Sequence, residues 1–142
     1  MRNYYVQIYE YLQKFIAGIV ILDKKGINND NCYLSITDLL VLKLLGSGHK
    51  KKMFEIIDAL NIDRNTFKTI ENRLISKGYI NKSRCDDDKR AYNLELTDKG
   101  RLFFNKTIDK EKEILFSLLD DFTLNEEKAI LKFLVKLDML NK

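Results

Sequence analysis

The feature that most constrains this fold is a change in apolar spacing after Gly78. Up to Gly78 the apolar residues recur at steps of three and four, which is typical of amphipathic helices. From Tyr79 to Leu96 they alternate with polar residues, which is typical of strands. The sequence therefore predicts helices followed directly by a β-hairpin, in one lobe at residues 35–100.

Two helices joined by a tight turn are predicted at residues 50–78. Asn61 lies where the chain needs a left-handed conformation, which Asn tolerates better than most residues. Asp63 suits the N-cap of the second helix, because its carboxylate can accept a hydrogen bond from the Thr66 backbone N–H. This arrangement predicts a helix-turn-helix.

The second helix of the pair has a polar face that suits the major groove of DNA. Its side chains can donate to phosphates, and several can reach base edges. Glu71 is the one acid on this face, whereas a merely solvated helix usually carries more acids. The candidate DNA contacts of this recognition helix are Arg64, Asn65, Thr66, Lys68, Thr69, Asn72 and Arg73.

Three consecutive aspartates separate the two predicted strands, in the stretch "SRCDDDKRAYNLELTDKG". Asp88 and Arg90 lie two residues apart, on one side of an extended segment, so the carboxylate can hold the guanidinium. The other two aspartates suit a turn. A guanidinium fits the narrow, negative minor groove. We interpret the stretch as a wing and not as a catalytic site, with candidate DNA contacts at Arg84, Asp88, Lys89 and Arg90.

The net charge of +4 is unevenly distributed along the chain. Residues 46–84 contain nine Lys or Arg and four Asp or Glu, whereas residues 98–142 contain nine of each. A basic middle segment fits a phosphate backbone. A solvated basic surface explains the same charge equally well, so the charge alone does not decide between them.

The wing stretch resembles the signature of the MarR family of bacterial transcription regulators. In that signature Asp, any residue and Arg are followed after a spacer by Leu-Thr and a Gly, as at Asp88, Arg90, Leu96, Thr97 and Gly100. The order of the predicted elements matches the family over the whole chain. The resemblance implies a mainly α fold with a small β-hairpin wing, in which N- and C-terminal dimerisation helices flank a winged helix-turn-helix.

The resemblance also implies a homodimer, formed by residues 1–32 and 101–142 across a two-fold axis. The residues themselves agree, because the three terminal helices carry apolar stripes that a 142-residue monomer would struggle to bury. The candidate interface residues are Tyr5, Ile8, Leu12, Phe15, Leu118, Phe122, Ile130, Phe133, Leu137 and Leu140.

These observations predict a sequence-specific regulator of transcription, in the first instance a repressor, that binds a pseudo-palindromic operator in double-stranded DNA as a homodimer. A small-molecule effector is expected to control it, and the aromatic first helix either lines its pocket or belongs to the core and interface. Two other interpretations stay open. One is a winged-helix protein-interaction adaptor without specific DNA binding, and the other is a redox sensor that uses Cys32 or Cys85.

Several other classes of function are not expected. The sequence shows no nucleophile–base pair and no phosphate loop, so we predict no enzyme. One histidine, His49, and two distant cysteines do not make the usual zinc site, so no metal and no cofactor are expected. No apolar run approaches the roughly 20 residues that cross a bilayer, and the N-terminus is too polar for a signal peptide. We therefore expect a cytoplasmic protein with reduced thiols and no membrane partner.

Overall fold

The computed structural model describes residues 4–29, 32–48, 50–84 and 91–141. The helices are α1 (Tyr5–Lys25), α2 (Ile36–Gly46), α3 (Met53–Leu60), α4 (Arg64–Ser76), α5 (Asp98–Leu119) and α6 (Leu124–Met139). The strands are β1 (Ile27–Asn29), β2 (Cys32–Leu34), β3 (Lys51–Lys52), β4 (Ile80–Arg84) and β5 (Tyr92–Leu96). The chain forms two compact units, Met1–Phe104 and Asn105–Lys142. Within the described ranges, no helix combines the length and the apolar character needed to span a bilayer.

The core of the first unit lies among α2, α3, α4 and the sheet. α2 is buried, as its nearly continuous apolar sequence predicts. α4 buries one stripe, Phe67, Ile70 and Leu74, at steps of three and four. The buried apolar residues are Leu34, Val41, Leu42, Leu45, Ile56, Phe67, Ile70, Leu74, Tyr79, Ile80, Leu94 and Phe103.

Capping hydrogen bonds define the helix ends around the helix-turn-helix, and the predictions at Asn61 and Asp63 are confirmed. Ser35 and Asp38 form a reciprocal capping box at the start of α2, with both hydrogen bonds at 3.0 Å. Asn61 ends α3 in the left-handed region, with φ 51° and ψ 47°. The Thr66 N–H donates to Asp63 Oδ1 at 2.6 Å, so Asp63 caps α4. Local chemistry therefore fixes where α4 begins.

The predicted hairpin is present, but the sheet has a third strand that the sequence did not indicate. The antiparallel order is β3-β5-β4. Lys51 and Lys52 were expected to open α3, whereas they form the edge strand β3. The backbone of Lys52 is extended, and its N–H donates to Glu55 Oε1 at 3.0 Å, which delays the helix until Met53. Two residues are too few to show alternation, so only pairing with β5 reveals this strand.

A second small sheet, which the sequence does not indicate, follows α1. Gly26 ends α1 with φ 80°, and its N–H donates to the Leu22 carbonyl at 2.9 Å. β1 then pairs antiparallel with β2, with Ile27 opposite Leu34. These strands of three residues carry no periodic signal.

In the second unit, Thr123 caps α6. Thr123 Oγ1 accepts from the Glu126 N–H at 3.2 Å, and Glu126 Oε1 accepts from the Thr123 N–H at 2.8 Å. Phe122 lies beyond the end of α5, which is at Leu119. The Phe122 N–H donates to the Leu119 carbonyl in the connecting turn.

A close backbone approach at Gly100 generates a stability prediction. A Cβ at this position would overlap the carbonyl oxygen of Tyr79. The surrounding turn is fixed, since Thr97 Oγ1 accepts from the Gly100 N–H at 3.0 Å and donates to the Gly78 carbonyl at 2.5 Å. Gly100→Ala should therefore lower the free energy of unfolding by about 1–3 kcal/mol, the usual cost of overpacking, in urea titrations followed by circular dichroism.

Gly48→Ala is the matched control, because an added Cβ there meets nothing within 4 Å. It should change the free energy of unfolding by no more than about 0.5 kcal/mol. Equal effects of the two substitutions would contradict the close approach at Gly100.

Candidate functional site

The exposed face of α4 is formed by small polar and cationic side chains. Asn65, Thr69 and Asn72 lie opposite the buried stripe and are exposed, together with Arg64 and Thr66 in the first turn. Two members of the predicted set, Lys68 and Arg73, are only partly exposed and lie on the two flanks of this face. The structure thus brings five of the seven predicted residues to one surface.

Hydrogen bonds within α4 decide which side chains of this face can serve a ligand. The Thr69 hydroxyl donates to the Asn65 carbonyl at 3.2 Å, so it is engaged by its own helix. Asn65 and Asn72 carry amides that both donate and accept, and Arg64 carries a planar set of five donors. These three side chains therefore hold most of the recognition capacity at the centre of the face.

Glu71 does not lie on the exposed face, contrary to the sequence interpretation. Glu71 is 1% exposed and lies on the inner side of α4, toward the sheet. The Tyr92 hydroxyl donates to Glu71 Oε2 at 2.7 Å. The ammonium groups of Lys68 and Lys82 each lie 3.6 Å from Glu71 Oε1. The exposed face of α4 is therefore free of acids along the described helix, and the one carboxylate is buried beneath its flank.

Tyr92 connects these charges across the helix and the sheet. Lys68 Nζ donates to the Tyr92 hydroxyl oxygen at 2.8 Å, and Met53 Sδ lies 3.1 Å from the same oxygen. The ammonium groups of Lys68 and Lys82 lie over the Tyr92 ring, 4.9 and 5.0 Å from its centroid. We refer to Lys68, Glu71, Lys82 and Tyr92 as the junction cluster, since they join α4, β4 and β5.

The junction cluster also sets the protonation of its members. The hydrogen bond to Tyr92, assisted by the charge of Glu71, raises the pKa of the Lys68 ammonium above its usual value. Burial raises the pKa of the Tyr92 phenol, and its bond to Glu71 acts in the same direction. At neutral pH Lys68 is therefore charged and Tyr92 keeps its proton, which it donates to the carboxylate.

Arg73 is held on the other flank of α4. Its Nη1 lies 3.4 Å from Asp38 Oδ2, and the Asp38 side chain is fully buried at the start of α2. The guanidinium therefore balances the charge of a capping residue that accepts from the Ser35 N–H. The pairing joins α4 to α2, and nothing in the α4 sequence alone indicates it.

Of the predicted wing residues, the structure describes only Arg84. It is exposed at the end of β4, in register with Tyr92. Asp88, Lys89 and Arg90 lie outside the described residues, and so does the proposed pairing of Asp88 with Arg90. The side chains of Cys32 and Cys85, on which the redox interpretation depends, also lie outside the described residues. Among the residues that are described, no three His, Cys, Asp or Glu side chains gather as a metal site would need.

Large apolar side chains are exposed on the terminal helices. All side chains of α1 are exposed except Leu12, which is partly buried. In the second unit, an open apolar groove of about 580 Å³ runs between α5 and α6 and includes Ile130. Of the candidate interface residues, Tyr5, Ile8, Phe15, Leu118, Phe122, Phe133 and Leu140 are exposed. Leu12, Ile130 and Leu137 are partly buried.

The site belongs to a known class of architecture. α3, the left-handed turn at Asn61 and α4 form a helix-turn-helix, and the hairpin of β4 and β5 follows directly. The strand β3 completes the small sheet beside α4. Together these elements define a winged helix-turn-helix.

Comparison with known sequences identifies the family. The family described as transcriptional regulator SarA/Rot matches residues 24–110. The HTH-type transcriptional regulator PchR of Bacillus subtilis is 31% identical over 106 residues, which cover 72% of this chain. The chain belongs to the SarA/Rot family of transcriptional regulators, which are MarR-like winged-helix proteins. The match covers 63% of PchR, less than two thirds of that relative's length.

Solved structures have the same fold. FabT of Streptococcus pneumoniae, solved in complex with DNA, matches with a TM-score of 0.82 and 26% identity, over 96% of both chains. A MarR protein from Peptoclostridium difficile matches with a TM-score of 0.70 and 24% identity, over 98% of this chain and 88% of that one. The predicted fold class and the resemblance to the MarR family are confirmed.

The cap at Asp63 predicts how the start of α4 responds to charge and pH. The Thr66 N–H lowers the pKa of the Asp63 carboxyl below its ordinary value of 3.8. A carboxyl group whose pKa is lower in the folded state than in the unfolded state stabilises the fold when the pH is above its unfolded-state pKa. This stabilisation is lost as the pH falls through the folded-state pKa. At neutral pH the melting temperature should therefore be highest for wild type, lower for Asp63→Asn and lowest for Asp63→Ala. The gap between wild type and Asp63→Asn should close in acid.

Asp58→Asn is the control for this ranking. Asp58 is exposed in the last turn of α3, where a negative charge gains nothing from the helix dipole. Its substitution should leave the melting temperature unchanged or slightly higher. A loss as large as that of Asp63→Asn would show that the effect is general and not a property of the cap.

Proposed function

We propose that this protein binds double-stranded DNA with sequence preference, as a homodimer, to regulate transcription from a pseudo-palindromic operator. The observation that carries this proposal is the acid-free exposed face of α4, with Asn65 and Asn72 at its centre. The face has the dimensions of one helix side, which the major groove admits. The likeness to FabT, whose structure was solved with DNA, supports the same function.

In this proposal the uncharged and the charged side chains have different roles in DNA binding. Asn65 and Asn72 would read base edges, and Asn is suited to adenine, to which it can make two hydrogen bonds. Arg64 and the N-terminus of α4 would contact bases or phosphates. In this proposal Arg84 and the wing residues Asp88, Lys89 and Arg90 lie toward the adjacent minor groove, where a guanidinium is favoured.

Sequence preference should depend on the two exposed amides. Asn65→Ala with Asn72→Ala should reduce the preference for operator over scrambled DNA by about tenfold or more, because each well-formed base contact contributes roughly 1–3 kcal/mol. The dependence of affinity on salt should stay the same, since neither side chain is charged. Fluorescence anisotropy against the DNA upstream of the protein's own gene, at two salt concentrations, measures both quantities.

Asn105→Ala is the matched control for this experiment. Asn105 is exposed on α5, in the second unit, and it should have no effect on either quantity. An unchanged preference in the double variant would remove α4 as the reading element. No binding of the wild type to either DNA would instead favour the adaptor interpretation.

The homodimer is proposed on the exposed apolar side chains of α1, α5 and α6. Tyr5 is 66% exposed, Leu118 66% and Leu140 80%, and each belongs to the predicted interface set. A monomer that exposes apolar surface on three helices would be prone to aggregation. A two-fold pairing buries one such surface against its copy and sets the spacing of two recognition helices. The division into residues 1–32 and 101–142 for pairing and 35–100 for DNA is part of this proposal.

The pairing can be tested at one residue of α6. Phe133→Glu should raise the dimer dissociation constant about a hundredfold or more, since an unpaired buried carboxylate costs roughly 3 kcal/mol. Light scattering over a range of concentrations should show the mass fall toward that of one chain. Lys132→Glu, at the next and exposed position, should keep the wild-type mass. A wild-type mass in Phe133→Glu would exclude this residue from the interface.

Three further points belong to the same proposal. The protein acts by binding rather than by catalysis, since each role assigned above uses only hydrogen bonds, charge and apolar contact. It acts in the cytoplasm, where chromosomal DNA of a bacterium lies. Repression controlled by a small molecule completes the proposal, and its effector would act by changing the relative population of DNA-competent dimers.

A further inference from the structure

The junction cluster contains more charge than packing requires. Glu71 is 1% exposed, yet it lies on the helix that we propose reads DNA. Removing a carboxylate from water costs several kcal/mol unless charges and hydrogen bonds compensate it. An apolar side chain would fill the same place without that cost. The position therefore calls for an explanation beyond the core.

The two carboxylate oxygens of Glu71 are stabilised differently. Tyr92 satisfies Oε2 with a short hydrogen bond of 2.7 Å. Oε1 is buried and accepts no hydrogen bond from the described residues, and it faces the two ammonium groups at 3.6 Å. Their attraction to Oε1 is therefore electrostatic and loosely directed. Once the carboxylate charge is removed, no directed hydrogen bond from the described residues to Oε1 keeps the ammonium groups from turning outward.

Both lysines have a route to solvent at the edge of the recognition surface. The side chains of Lys68 and Lys82 are 44% and 50% exposed. One comes from α4 and the other from β4, and both lie over the Tyr92 ring. A DNA phosphate at the junction of recognition helix and wing would therefore compete with Glu71 for the same two cations.

We propose that Glu71 is a specificity-determining positioning residue, which holds Lys68 and Lys82 back from DNA phosphates. This inference rests on the proposed DNA-binding function. Phosphate contacts carry no sequence information, and they supply most of non-specific binding. Base contacts fix the docking of a specific complex, whereas a non-specific complex is held only by cations that reach phosphates. Holding two ammonium groups at a buried carboxylate therefore weakens non-specific binding more than specific binding. Glu71 thereby raises the ratio of specific to non-specific affinity.

The test replaces Glu71 with its neutral isostere. Glu71→Gln keeps an acceptor for Tyr92 and removes the charge that holds the lysines. Affinity for scrambled DNA should rise, and the plot of log affinity against log salt should steepen by about 0.9 for each lysine freed on each subunit that contacts DNA. The ratio of operator to scrambled affinity should fall.

A matched control separates this effect from a general change of charge. Glu95→Gln changes the net charge equally, on β5, at a position paired with Asn81 rather than with a residue of the junction cluster. Its effect on the salt slope should be much smaller than that of Glu71→Gln. Equal slopes for the two variants would overturn the proposal, because the protein would then respond only to its total charge.

A double-mutant cycle with Lys82 tests whether the Lys82 ammonium is the charge that Glu71→Gln releases. Lys82→Gln alone should change the salt slope little, because Glu71 already holds that ammonium. In the Glu71→Gln background the same substitution should lower the slope by about 0.9 per subunit. A loss of that size from Lys82→Gln in the wild-type background would also overturn the proposal, since Lys82 would already contact phosphate.

A measurement without DNA separates this inference from the proposed function. Reductive methylation of the folded protein, followed by peptide mass spectrometry, reports how accessible each lysine amine is. Lys82 should react faster in Glu71→Gln than in wild type, and exposed Lys112 on α5 should react equally in both. Unchanged Lys82 reactivity would overturn the holding role of Glu71. Absence of all DNA binding by wild type would instead overturn the proposed function, and with it the role of Glu71 in specificity.

Discussion

The left-handed turn at Asn61 is the constraint on which the winged helix-turn-helix depends. It ends α3 after Leu60 and lets Asp63 begin α4 three residues after the α3 end. Because Asp63 caps α4, the helix starts at a fixed residue, and its first turn exposes Arg64 and Asn65. A shift of one residue in this start would rotate the polar face by about 100° and bury it against the core. The turn and the cap therefore determine which side of α4 carries the polar face.

Two buried carboxylates then fix α4 from its flanks. Asp38 takes the guanidinium of Arg73 on the side of α2, and Glu71 takes the junction lysines on the side of the sheet. Each carboxylate also accepts a neutral hydrogen bond, Asp38 from the Ser35 N–H and Glu71 from the Tyr92 hydroxyl. The cationic flanks of α4 are thus balanced by buried carboxylates, while the exposed face between them carries the uncharged amides of Asn65 and Asn72 and the guanidinium of Arg64. Such a helix is suited to reading bases more than to gripping phosphates.

The sequence predicted the parts of this lobe that follow from local chemistry. The cap at Asp63 and the left-handed conformation of Asn61 were predicted correctly, because each depends on residues within four positions of it. The strands β1, β2 and β3 were missed, since two or three residues carry no period and exist only through pairing. Glu71 was assigned to the wrong face because helical spacing locates a stripe but not its edges. Its position three residues after Lys68 was the one available signal.

The exposed apolar helices and the balanced charges of α4 bear on the same requirement. A reader of a two-fold operator gains specificity only if both recognition helices meet their grooves in register. Loose attraction to phosphate works against register, because a protein held by charge alone binds at any position along the duplex. In the proposed dimer, apolar pairing through exposed side chains such as Phe133 and Leu140 would fix the spacing of the two faces. Sequestered lysines at Glu71 keep incorrectly registered complexes weak. Dimer geometry and buried charge thus both contribute to the discrimination of operator from other DNA. The proposed effect of Glu71 therefore appears in the ratio of the two affinities rather than in either affinity alone.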